Sequence, residues 1–183
     1  MNSIPIGWLI GGATVACGLL LAVVAIVYRR RRRTLRALLR RIAWEQLQDV
    51  VIPDEVDGEI HLDLALLTPR GILVLEVRHV SGTLFWGDQL EHWTVLDGPR
   101  RTVLQNPLPG MNARRQAVHA LVPQAPVEGR VLLVGRIEIA GEPPPGVVTL
   151  EGLVTEIPAR GRQPVPPGLG QAWARLKAAA RPI

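Results

Sequence analysis

A run of 23 residues without a formal charge, Ile6 to Tyr28, is followed at once by five consecutive arginines, Arg29 to Arg33. As a helix, at roughly 1.5 Å per residue, such a run is about 34 Å long, enough to cross the hydrocarbon core of a bilayer. A cleavable signal peptide carries its positive charge before the apolar stretch and a small-residue cleavage site after it, whereas here the charge follows. The expectation is an uncleaved single-pass transmembrane anchor over residues 1–28 and a basic juxtamembrane segment over 29–35. By the positive-inside rule the arginines keep the domain that follows in the cytoplasm and send the short N-terminus across an inner or plasma membrane. Trp8 and Tyr28 fall near the two ends of the run, where aromatic rings favour the headgroup zone. Gly7 and Gly11 form one GxxxG spacing, which would let two anchors pack closely in a homodimer.

The 183 residues leave room for one further module of ordinary size, which excludes an enzyme with separate cofactor and substrate domains. The formal charge of +5 is unevenly placed. Eight arginines and no acid lie between Arg29 and Arg41, each worth about 1 kcal/mol near anionic lipid. From Ile42 to Ala159 there are 8 basic against 16 acidic residues. A domain that grips a long duplex by charge alone shows the opposite balance, which counts against avid sequence-independent nucleic-acid binding. The single Cys17 lies inside the apolar run, so a disulfide within the chain and a thiol catalyst in the following domain are both excluded. His61, His79, His92 and His119 lack the close pairing of a zinc site and read as surface or strand histidines.

Beyond the anchor the chain reads as α+β. Leu35, Leu38, Leu39, Ile42 and Leu47 recur at helical spacing, predicting an amphipathic helix over Thr34 to Gln48. Three strands follow, Asp49 to Ile52, Glu59 to Thr68 and Gly71 to Val80, separated by turn-rich segments. Shorter strands are predicted at Gly82 to Trp86, Trp93 to Leu96 and Arg101 to Leu104, a helix over Met111 to Val122 and a buried strand over Arg130 to Ile139. Pro143 to Pro145 and Gly161 to Gly168 read as loop, and Leu169 to Ala180 as a short helix in a Pro/Gly-rich tail, residues 159–183.

The candidate chemistry lies in the hairpin Ile60 to Val80. Glu76 and Arg78 are two apart on a strand and share a face. If Leu67 and Ile72 close the loop Thr68 to Gly71, Asp63 pairs with Glu76; a three-residue loop with a bulge at Gly71 would instead set Asp63 opposite Val77. In the first register the two carboxylates repel unless a cation or proton lies between them, and an Asp and a Glu are oxygen ligands that suit Mg²⁺. A metal there could polarise a phosphodiester and activate a water. The plainer reading makes both acids solvent-facing strand residues partnered by Arg78 or Arg70. The helix from Met111 is expected to cover the opposite, apolar face, made by Leu62, Leu64, Leu66, Leu73, Leu75 and Val77.

The segments Ile60 to Asp63, Leu67 to Gly71, Ile72 to Arg78 and Ser81–Gly82, with Gly87–Asp88, Trp93 and Asn106–Pro107, resemble the nuclease-related domain, NERD, over roughly Arg36 to Pro158. The resemblance implies a core like that of the PD-(D/E)xK nucleases: a helix, a three-stranded antiparallel meander, a helix and a strand. It also implies that Asp63 and Glu76 are metal-binding acids, with Mg²⁺ as cofactor and nucleic acid as substrate. Arg78 stands where the family usually has lysine; an arginine stays protonated and can only pair with charge or stabilise a transition state. The first-helix Gly-Glu of the family is replaced by the arginine run, and the glutamine that follows Asn-Pro is replaced by Gly110. The resulting expectation is a membrane-anchored NERD protein with a degenerate site, used for binding or scaffolding. The alternative is a Mg²⁺-dependent phosphodiesterase with Asp63 and Glu76 as metal ligands and Arg78 stabilising charge.

Overall fold

A computed structural model describes residues 35–54, 58–87 and 90–183. The expected membrane span and the arginines 29–33 lie outside these residues. Among the described residues no helix is long and apolar enough to cross a membrane. The chain divides after Leu38 into two units. Of the first, residues 35–38 are described and helical. The second, Leu39–Ile183, is a mixed α+β fold with two sheets.

Helix α1, helical over residues 35–42, ends well short of the Gln48 expected from its spacing. The Ala43 amide still donates to the Leu39 carbonyl, but the Trp44 amide donates to Leu67, so the chain leaves the helix for a sheet partner. Strand β1 (Glu45–Pro53) then pairs antiparallel with β2 (Glu59–Thr68), and β2 pairs antiparallel with β3 (Gly71–His79). Leu47, the last apolar residue of the helical pattern, instead sits opposite Ala65. Long-range pairing has overridden a weak local preference.

Strands β4 (Gly82–Phe85), β5 (His92–Asp97) and β6 (Arg100–Gln105) precede helix α2 (Leu108–Leu121). The single buried strand expected over Arg130 to Ile139 is two, β7 (Val127–Val134) and β8 (Ile137–Ile139). Strand β7 pairs parallel with β3 in one sheet, and β8 pairs parallel with β4 in the other. One parallel ribbon is therefore bent from sheet to sheet, with Val80 donating to Val134 and Gly82 to Arg136 across the bend. Gly135, at φ +145°, makes the turn in β7–β8, in a region open to glycine alone.

The remaining elements are β9 (Val147–Thr149), α3 (Leu150–Glu156), α4 (Pro167–Ala179) and β10 (Arg181–Pro182). The first sheet has the order β10-β1-β2-β3-β7-β9 and the second β6-β5-β4-β8. Residues Leu64 to Leu67 of β2 and Val131 to Val134 of β7 are buried without alternation, as befits interior strands covered on both faces.

Of the face expected to lie under α2, Leu62, Leu64, Leu66, Leu73, Leu75 and Val77, only Leu62 shares a buried cluster with the helix. Met111, Ala117 and Val118 of α2 belong to one buried cluster with Ala65, Leu67, Ile72 and Val74, the alternate residues of the hairpin. Gly129, paired with Val74, explains the fit: a Cβ there would lie 2.8 Å from the Met111 sulfur, so its absence lets the helix sit down on this face. Helix α2 thus lies on the same side as Glu76, and α4, with buried Ala172, Trp173 and Leu176, joins the same cluster.

Helix α4 is tied to β1 through Glu45, whose Oε2 accepts from Lys177 Nζ and from Trp173 Nε1, each at 2.9 Å. The Lys177 hydrogen bond, followed by that of Trp173, holds the Glu45 carboxyl below its ordinary pKa. A lowered folded-state value contributes stability that is complete above the ordinary glutamate value, about 4.3, and lost as pH falls through the folded-state value. Acid unfolding followed by tryptophan fluorescence should show a shallower loss of stability below about pH 4.3 in Glu45→Gln than in the wild type. Glu45 is half exposed, so the difference is expected to stay under about 1 kcal/mol.

Candidate functional site

The β2–β3 hairpin follows the register in which Thr68 pairs with Gly71 and Leu67 with Ile72, continuing to Leu64 opposite Leu75. This is the expected four-residue turn and not the bulged alternative, but the ladder ends at Leu64–Leu75, one pair before Asp63 and Glu76. Thr68 stabilises the turn from within: its hydroxyl donates to the Gly71 carbonyl at 2.9 Å and accepts from the Arg70 amide at 3.3 Å. Beyond Leu64 the ladder gives way to a side chain. The Asp63 carboxylate, through Oδ2, accepts the Val77 amide at 2.9 Å, and its Oδ1 faces His61 Nδ1 at 3.4 Å. His61 Nε2 in turn faces Asp49 of β1 at 3.8 Å, beyond hydrogen-bond distance.

Glu76 differs from the exposed strand acid that the hairpin pattern allows. It is 1% exposed, on the face of β3 that also carries Ile72 and Val74, with Val131 of β7 as its neighbour. A carboxylate so buried requires charged partners. Its Oε1 accepts from Arg78 Nε at 2.6 Å, and its Oε2 from Arg114 Nη1 at 3.0 Å. Arg114 comes from α2, and its Nε donates to the His61 carbonyl at 2.8 Å. One guanidinium therefore joins β2, β3 and α2 where the first two strands part. The other expected partner, Arg70, is engaged elsewhere, with Glu128 at 2.9 Å.

Glu76, Arg78 and Arg114 form one wall of a cleft of about 630 Å³. His92 and Gln105 of the second sheet and Glu91, just before β5, also line it, with Asn106, Pro107, Pro109 and Gly110 at the start of α2. Asn106 builds that corner: its Oδ1 accepts the Leu108 amide at 3.0 Å, satisfying a helix-start donor, while its Nδ2 donates to the Leu90 carbonyl at 3.1 Å. Asp63 does not line the cleft. Of the three residues singled out by sequence, Glu76 and Arg78 share the cleft and touch each other, and Asp63 lies behind them against Val77 and His61.

Sequence reading missed Arg114. One signal was available: an acid inside the otherwise apolar run Ile72 to Val77 demands a buried cation, and α2 carries Arg114 and Arg115 one turn beyond Gly110. Nothing local distinguishes which of the two points inward.

As arranged, these residues do not fit Mg²⁺. The ion takes oxygen ligands at about 2.0–2.1 Å in octahedral geometry. Both oxygens of Glu76 face guanidinium groups, and those of Asp63 face an amide and an imidazole. Among the described residues, no group of three or more His, Cys, Asp or Glu side chains is placed to hold a metal ion.

The sequence model of one protein family, the nuclease-related domain (NERD), matches residues 28–134, more than half of the chain. No curated protein and no solved structure matches it.

Proposed function

The chain belongs to the NERD family, and from that premise we propose that it is a membrane-anchored, cytoplasmic member with a PD-(D/E)xK-like core, whose nuclease chemistry is weakened and whose cleft serves for binding or scaffolding. The observation that carries this reading is the engagement of both Glu76 oxygens by guanidinium groups. A nuclease of this type needs its acids free to hold a metal that activates water and neutralises the phosphorane-like charge. Here the charge of the buried acid is already balanced by Arg78 and Arg114. The acid excess between Ile42 and Ala159 further disfavours a strong hold on nucleic-acid phosphates. Nucleic acid is therefore a weakly held ligand at most. The firm partner is the anionic leaflet, gripped by the arginines between Arg29 and Arg41. The GxxxG spacing of Gly7 and Gly11 supports the same reading for a homodimer of anchors.

The test uses the full chain in nonionic detergent micelles with supercoiled plasmid DNA and a folded RNA, in the presence of Mg²⁺ or Mn²⁺. No nicking or cleavage above the rate of buffer controls is expected. Metal-dependent cleavage that is lost in Asp63→Asn would establish the other reading, a phosphodiesterase with Asp63 and Glu76 as ligands. A reporter fused after Ile183 should behave as cytoplasmic, and export of that fusion would sink the anchor.

A further inference from the structure

The disagreement between the residues of the cleft and a bound metal has a specific origin in α2. Arg114 and Arg78 both touch Glu76, but they are held differently. The Arg78 side chain is 44% exposed and can swing into water, whereas that of Arg114 is 19% exposed and is tied by its Nε to the His61 carbonyl. Arg114 is the fixed cation of the two.

Its seat is made by Gly110, one turn earlier on the same helix face. A Cβ built at Gly110 would lie 2.9 Å from the same Arg114 nitrogen that bonds Glu76, inside any real contact distance. Nothing else stands near that Cβ, and Gly110 has an ordinary helical backbone, so the turn itself does not call for glycine. A helix-interior glycine is unfavourable relative to alanine. The missing side chain leaves the space in which the guanidinium reaches the acid.

We propose that Arg114, seated by the empty position at Gly110, is the resident cation of this site and keeps divalent metal off the Glu76 carboxylate. The inference rests on the weakened-nuclease reading and names the residue responsible for it. A guanidinium at hydrogen-bond distance from Glu76 repels an approaching dication and holds the oxygen that would ligate it. Removing Arg114 leaves Glu76 with the more exposed Arg78 alone.

The probe is Mn²⁺, followed by calorimetry and by its electron paramagnetic resonance signal, with the full chain in detergent micelles. The wild type is expected to give no saturable site. Arg114→Gln should gain one, at least about tenfold tighter than any residual binding by the wild type, and the gain should vanish when Glu76→Gln is added. Gly110→Ala reaches the same end while keeping every charge, because the methyl group displaces the guanidinium. It decides the matter if Arg114→Gln proves unfolded. A wild type that binds Mn²⁺ as tightly as either variant, or folded variants that gain no site, would overturn the proposal. Cleavage by the wild type in the plasmid and RNA assays would sink the weakened-nuclease reading instead, whereas an inactive wild type with unresponsive variants sinks only the role of Arg114.

Discussion

Glu76→Ala should destabilise the fold by about 3 kcal/mol, because breaking a buried ion pair from one side strands the other charge. The stranded partner is Arg114, whose side chain is 19% exposed and held against β2. Arg78, at 44% exposed, relaxes into water and adds little to the loss. Chemical denaturation followed by tryptophan fluorescence reads this directly, since Trp93 and Trp173 are buried in the cluster that joins the sheets and helices. Adding Arg114→Leu to Glu76→Ala should recover part of the loss, as an apolar pair can replace a buried ionic one at little cost. Asp63→Ala is expected to cost less, about 1 to 2 kcal/mol, because it leaves the Val77 amide without its acceptor but strands no charge. If Glu76→Ala fell within about 0.5 kcal/mol of the wild type, the double arginine clamp would not exist in solution.

Gly135→Ala should be at least as damaging, by about 3 kcal/mol or more, for a reason unrelated to charge. At φ +145° a side chain is strained on its own account, and the added Cβ would lie 1.9 Å from the Val80 carbonyl oxygen. That carbonyl belongs to the bend by which β3 passes into β4, so neither strand of the parallel ribbon can move without disturbing a sheet. Gly141→Ala is the control. Its φ is also positive, +84°, but nothing lies within 4 Å of the added atom, and a loss of only about 1 kcal/mol is expected. Equal losses at the two positions would mean that the close approach at the bend contributes nothing.

The hairpin was legible because its determinants are close in the chain. Thr68 to Gly71 is a self-contained turn, and the side-chain period of two carries its register from Leu67 opposite Ile72 as far as Leu64 opposite Leu75. The same arithmetic set Glu76 and Arg78 on one face, and the structure has them in contact. Helix α2 was also visible as a segment between turn signals, with its ends misplaced by a few residues, whereas the one strand expected after it is two, β7 and β8, in different sheets. The start of β1 was not, because Glu45 to Gln48 are equally compatible with another turn of helix. Their conformation follows from the edge that β2 presents at Leu64 to Leu67.

What sequence determined by itself is the set of local choices: the turn, the alternation along β2 and β3, the composition that makes one acid conspicuous in an apolar strand, and the family likeness those residues carry. Tertiary structure decided which face of the sheet α2 covers. Both faces of the hairpin are apolar enough to accept a helix, since Ala65, Leu67, Ile72 and Val74 are as buried as Leu64, Leu66, Leu73 and Leu75. Periodicity therefore cannot choose between them, and the gap at Gly129 that admits Met111 does. That choice brings Arg114 to an acid 38 residues earlier in the chain. The charge balance of the site is thus a consequence of packing, and no spacing rule within either segment contains it.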